Sequence, residues 1–158
     1  MVIVMDLGEI LGKDAIETDL KVGSKKQLLQ ALSERAAELT DLSAREIFDT
    51  ILQREKLGST GVGNGIAIPH GKFDKFDRIF GLFARLDAPI DFDALDEKPV
   101  DIVFLLLAPE SAGADHLKAL SRIARVLRDP QRLAALRAAP ADADFYDLLV
   151  NDEQSDAA

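Results

Sequence analysis

The residues with the most chemistry gather in one stretch, Gly58-Ser59-Thr60-Gly61-Val62-Gly63-Asn64-Gly65-Ile66-Ala67-Ile68-Pro69-His70-Gly71-Lys72. Five of the chain's ten glycines lie here, and His70, one of only two histidines, stands near its end. Glycine tolerates positive φ and lets backbone N–H groups approach an anion, so the run reads as a phosphate cradle. Ser59, Thr60 and Asn64 add side-chain donors, and Lys72 adds positive charge. A histidine just beyond such a cradle can serve as acid, base, metal ligand or nucleophile.

Several chemistries fail on spacing. A nucleotide-binding P-loop ending on Gly71-Lys72 would need glycine where Ile66 stands, and the next residue is Phe73 rather than serine or threonine. A dinucleotide fingerprint must open a helix, whereas Gly61-Val62-Gly63 runs on into Asn64-Gly65-Ile66 and then proline. Asp91-Phe92-Asp93-Ala94-Leu95-Asp96 imitates a calcium loop for two ligands, then lacks the third ligand and the glycine. Two histidines without cysteine make a weak metal site, no His-x-x-x-His spacing exists, and neither a metal nor a cofactor is expected. A Ser-His-Asp triad stays open on residue counts, although no Gly-x-Ser-x-Gly elbow is present. The reading left is His70 as acceptor of a phosphoryl group. An imidazole of ordinary pKa, about 6.5, is largely neutral at cellular pH and keeps one nitrogen lone pair for attack. Its other nitrogen must donate its proton to an acceptor, which fixes the tautomer.

These side chains need elements to hold them. Leu7 to Leu11 reads as a helical turn, and Ala15 to Leu20 as a first strand. Ser24 with Gln27, and Ser43 with Glu46, are capping boxes that start two helices. Leu28, Leu32, Ala36 and Leu39 stripe the first helix; Ile47 and Ile51 stripe the second, which Gly58 stops. Ile66-Ala67-Ile68 is a short strand that delivers Pro69 and His70 to its end, proline biasing Ile68 towards extended backbone. Arg78 to Leu86 forms a strand, and Asp101 to Ala108 a central one covered on both faces. Ala114 to Leu127 is a helix with Leu117, Leu120, Ile123, Ala124 and Leu127 on one face. Pro130 opens another helix, and Asp144 to Leu149 makes a last one. The phenylalanines at 73, 76, 80 and 83 are read as packing rather than a ligand box. Strands interleaved with helices give a single-domain α/β sandwich, a mixed β-sheet flanked by α-helices on both sides.

Composition narrows the class. The chain has 158 residues, one domain's worth, with 47% hydrophobic and 30% charged residues. Its formal charge of −9 repels a polyanion and argues against nucleic-acid binding. Zero cysteines remove disulfides and thiol chemistry. The start shows no signal-peptide pattern and no apolar run reaches bilayer length, so a cytoplasmic location without membrane insertion is expected.

The stretch from Gln53-Arg54-Glu55-Lys56 through Gly58-Ser59-Thr60-Gly61-Val62-Gly63-Asn64-Gly65 to Ile68-Pro69-His70-Gly71 resembles the signature of type-2 (mannitol/fructose-like) IIA domains of the bacterial phosphoenolpyruvate-dependent phosphotransferase system. The match spans nearly the whole chain and takes in Asp115-His116-Leu117. The resemblance implies that His70 accepts phosphate, at Nε2, from a phosphorylated HPr/NPr-type carrier protein. It implies that Arg54 and His116 stabilise the phosphoryl group, with Ser59, Thr60, Gly61 and Asn64 as candidate phosphate-binding residues. The full glycine pattern is most similar to the family's nitrogen-regulatory members, and the chain ends soon after the match with no fused transporter. That implies a stand-alone regulator, monomer or weak dimer, whose targets would be proteins such as potassium transport or sensor proteins. Residues 1–150 would be the IIA domain and 151–158 an acidic, disordered tail. Two readings compete: a sugar-specific IIA passing phosphate to a IIB domain, and an interaction module whose His70 is never phosphorylated.

Overall fold

A computed structural model describes residues 6–151. Two serines start helices where the sequence places them. Ser24 Oγ accepts the Gln27 N–H at 3.2 Å to open α2 (Lys25–Leu39), and Ser43 Oγ accepts the Glu46 N–H at 3.1 Å to open α3 (Ala44–Leu57). The box of α2 is modified, because the Gln27 side chain takes the Gly23 N–H at 2.7 Å instead of that of Ser24. Gly58 ends α3, its N–H bonding back to the Glu55 carbonyl. The two helices pack together, and their Leu28, Leu29, Leu32, Ile47 and Ile51 are all buried.

A short helix α1 (Leu7–Ile10) leads into β1 (Leu11–Leu20). Later come β2 (Gly61–Gly63), β3 (Ile66–Ala67), β4 (His70–Phe73), β5 (Phe80–Ile90) and β6 (Val100–Pro109). They form one mixed sheet in the order β1-β5-β6-β3-β2, with β4 also on β6. β1 runs parallel to β5, β5 antiparallel to β6, and β6 parallel to both β3 and β4. From Ile102 to Ala108 every residue of β6 is fully buried, on both pleat faces alike, which requires cover on both sides. α2 and α3 pack on β5 and β4; α4 (Ala114–Arg128) lies on β6 and α6 (Phe145–Val150) on β1. α5 (Pro130–Ala138), opened by its proline, bridges α4 and α6. The phenylalanines at 73, 76, 80 and 83 are all buried, as expected of packing residues.

Three expectations change. The strand 66–68 is interrupted: Ile66 pairs with Ile102 and Ala67 with Val103, the ladder lapses at Ile68 and Pro69, and His70 opens β4 opposite Leu106. Proline has no N–H for the ladder, so the break falls where it stands. The glycine-rich run is not an open loop but a hairpin of β2 and β3, turning through Asn64 (φ 57°) and Gly65 (φ 79°). Two consecutive positive φ values are what a two-residue hairpin turn of this hand demands. On α4, Leu117 is 66% exposed; the buried stripe runs through His116, Ala119, Ile123, Val126 and Leu127. Residues 1–5 and 152–158, which carry the expectations about a signal peptide and most of the acidic tail, fall outside the described residues.

Candidate active site

The interruption at Pro69 shapes the site. Ile68 gives its N–H to the Thr60 carbonyl at 3.0 Å, and its own carbonyl accepts from His70 Nδ1 at 2.8 Å. An acceptor at Nδ1 keeps the proton there and leaves the lone pair on Nε2. The next residue, Gly71, lets α3 come close, since a Cβ there would lie 2.8 Å from Thr50 Cγ2. That approach sets the end of α3, with Arg54 and Glu55, beside His70.

His116 arrives from the other side. It heads the buried stripe of α4, and its ring lies 5.4 Å from that of His70, tilted by 58°. Its Nε2 is buried with no hydrogen-bond partner. Burial, then the nearby His70 and Lys72, push His116 down to about 4. His70 is also lowered, chiefly by burial; its bond to Ile68 opposes the shift, Arg54 adds to it and Glu55 opposes it. Both imidazoles are therefore neutral at pH 7, one with a free lone pair and one with an unpartnered nitrogen. Arg54 supplies the fixed positive charge, anchored through Nη1 to the Gly58 carbonyl at 2.9 Å. A nucleophilic nitrogen, a neutral imidazole and a guanidinium suit the transfer of a group carrying negative charge.

The remaining candidates divide. Ser59 and Thr60 stand at the root of the hairpin near Ile68, but Ser59 Oγ donates to the Phe92 carbonyl at 3.1 Å and the Thr60 hydroxyl donates to Glu55. The Gly61 N–H goes to Ser59 Oγ at 3.1 Å. Asn64 belongs to the other end of the sheet. Its N–H donates to Asp96 at 3.1 Å, its carbonyl accepts from Arg137, and its neighbour Gly65 takes the Asp101 and Ile102 N–H groups. Leu106 lies five positions along β6 from Asp101, on the order of 15 Å at strand rise. The structure thus brings together His70, His116 and Arg54, keeps Ser59, Thr60 and Gly61 nearby with their polar groups engaged, and carries Asn64 away. Glu55 is the residue the sequence analysis does not single out: its side chain is 2% exposed, inside the charged run Arg54-Glu55-Lys56. Among the described residues no group of three or more His, Cys, Asp or Glu could hold a metal ion.

The chain matches the family model for the phosphoenolpyruvate-dependent sugar phosphotransferase system, EIIA 2, over residues 9–152. It belongs to this family. Among its EIIA 2 relatives, the nitrogen regulatory protein of Bradyrhizobium diazoefficiens is 58% identical over 145 residues, covering 92% of this chain and 95% of the relative. The nitrogen regulatory protein of Escherichia coli is 41% identical over 150 residues, covering 94% and 92%. The crystal structure of the nitrogen regulatory protein IIA-Ntr from Neisseria meningitidis superposes with a TM-score of 0.85 at 38% identity, over 90% of this chain and 98% of that one. The EIIA 2 fold is therefore that of this chain, and no helix among the described residues is long and apolar enough to cross a membrane.

Proposed function

We propose that the chain is a phosphohistidine carrier of a nitrogen-related phosphotransferase system, taking phosphate on His70 from a phosphorylated HPr/NPr-type protein. The observation that carries this reading is the 2.8 Å bond from His70 Nδ1 to the Ile68 carbonyl, which leaves Nε2 as the attacking atom beside His116 and Arg54. As Nε2 bonds to phosphorus, the donor's own bond to phosphorus breaks and its electron pair leaves with the donor. His70 keeps its Nδ1 proton, and the bond to Ile68 strengthens as the ring takes on positive charge. Arg54 and the partnerless nitrogen of His116 then face the phosphoryl oxygens, which spread their charge over these donors. Ser59, Thr60 and Gly61 contribute by fixing the hairpin root. The names of the relatives support a regulatory outcome. One phosphate changes local charge by nearly two units, enough to recruit or repel a target protein such as a potassium transport or sensor protein.

The test is intact-protein mass spectrometry under conditions that preserve phosphohistidine, after mixing the chain with phosphoenolpyruvate, enzyme I and an HPr-type carrier. One acid-labile phosphate on the wild type, absent from His70→Ala, is expected. No phosphate on the wild type with a demonstrably phosphorylated carrier would overturn the reading and favour the unphosphorylated interaction module.

A further inference from the structure

Glu55 takes no part in the transfer just described, yet it is the most deeply buried acid near it. Burying a carboxylate costs several kcal/mol unless the charge is paired and its lone pairs are used. Here both conditions are met. Lys25 Nζ lies 3.0 Å from Oε1, the Thr60 N–H donates to Oε1 at 3.1 Å, and the Thr60 hydroxyl donates to Oε2. Lys25 is itself held, its Nζ 4.5 Å from the centre of the Phe92 ring, while the Phe92 carbonyl takes the Ser59 hydroxyl. The start of the hairpin is therefore pinned to a buried charge pair.

The chain of contacts does not stop at Thr60. Its carbonyl holds the Ile68 N–H at 3.0 Å, and the Ile68 carbonyl holds His70 Nδ1 at 2.8 Å. Three hydrogen bonds join the Glu55 carboxylate to the imidazole. We propose that Glu55, with Lys25 as counter-ion, is a positioning residue for His70: it fixes Thr60, Thr60 fixes Ile68, and Ile68 sets the tautomer and orientation of the ring. The consequence for phosphoryl transfer rests on the carrier reading; the effect on the ring does not. A carboxylate is suited to the task because it accepts both Thr60 donors while meeting the Lys25 cation. A carboxamide would offer a single oxygen, leaving one Thr60 donor unmatched and Lys25 without its anion.

The experiment compares wild type, Glu55→Gln and Thr60→Ser as full chains. Long-range nitrogen–proton NMR of the imidazoles reads the His70 tautomer, and initial rates of phosphoryl uptake at rising concentrations of a phosphorylated HPr-type carrier separate kcat from KM. Wild type should show His70 wholly as the Nδ1–H form. Glu55→Gln should mix the two tautomers and lower kcat by about ten- to a hundredfold, with KM for the carrier changed by less than about twofold. Thr60→Ser, which keeps the N–H and the hydroxyl, should behave as wild type. An unchanged tautomer in Glu55→Gln, whatever the rate, would overturn the proposal. Should that variant fail to fold, Lys25→Met with Glu55→Gln removes both charges together and is read by the same two measurements. If the wild type takes no phosphate, the carrier reading falls, while the tautomer comparison still decides the role of Glu55.

Discussion

The two ends of the hairpin formed by β2 and β3 are built from the same kinds of residue and finished differently. At the turn, Arg137 bonds bidentately to Asp101 and also holds the Asn64 carbonyl, while Asp96 takes the Asn64 N–H. Each of those polar groups has its partner. At the root, beside His70, His116 Nε2 is buried with none, and Nε2 of His70 keeps an open lone pair. Orphaned polar atoms in a folded protein cost stability and persist where something else needs them. The contrast separates a stretch that holds the fold from one held ready for a ligand.

The largest effect is expected at the root. Arg54→Ala should slow phosphoryl uptake by about a hundredfold, the cost of losing one preorganised charge at a transfer site. The urea midpoint should barely move, because among the described residues Arg54 makes a single hydrogen bond, at an exposed position. A large loss of stability would place Arg54 with the structural residues instead.

At the turn the expected pattern inverts. Gly65 has φ 79°, and a Cβ there would lie 2.9 Å from Asp101 Oδ1 and closer still to Arg137. Gly65→Ala should cost about 1–2 kcal/mol in urea denaturation, the penalty of left-handed backbone for a side chain, with the uptake rate unchanged. A rate that fell in step with stability would mean that the two ends act as one unit.

Acid sharpens the contrast with a smaller effect. His116 titrates at about 4 in the folded chain against 6.5 ordinarily, so between those values the unfolded chain binds a proton that the folded chain refuses. Stability should therefore fall as pH drops from 6.5 towards 4, and the lowered His70 adds to it with the same sign. His116→Phe should flatten the slope of melting temperature against pH over that window. An unaltered slope would show that His116 is not the group responsible.

How much of this was legible in the sequence depended on whether the cause was local. The serine caps, the glycine stop and the proline start act within four residues, and all are found where the sequence puts them. The buried strand from Asp101 to Ala108 was equally plain from its unbroken apolar run. The glycines misled, because a phosphate cradle and a tight hairpin ask for the same residue. The pair Asn64-Gly65 is a strong hairpin signal that the sequence analysis does not use. Leu117 was placed on the buried face because its neighbours at helical spacing are apolar, whereas the sheet meets α4 about one residue away, along the stripe that His116 heads. Glu55 was illegible for a different reason. Gln53 to Lys56 is a run of polar and charged residues at a helix end, and only the approach of Lys25, from a helix some thirty residues earlier in the chain, and of Thr60 makes one of its charges internal.

The bond from Ile68 to His70 carries a consequence for heredity. The Ile68 N–H goes to the Thr60 carbonyl while the Thr60 N–H goes to Glu55, so the Ile68 carbonyl is left to the imidazole. The group that orients His70 is therefore main chain, present whatever side chain position 68 encodes. No codon change at that position can delete the acceptor, so descendants of this gene inherit the tautomer with the fold, and mutational drift reaches it only by displacing the backbone.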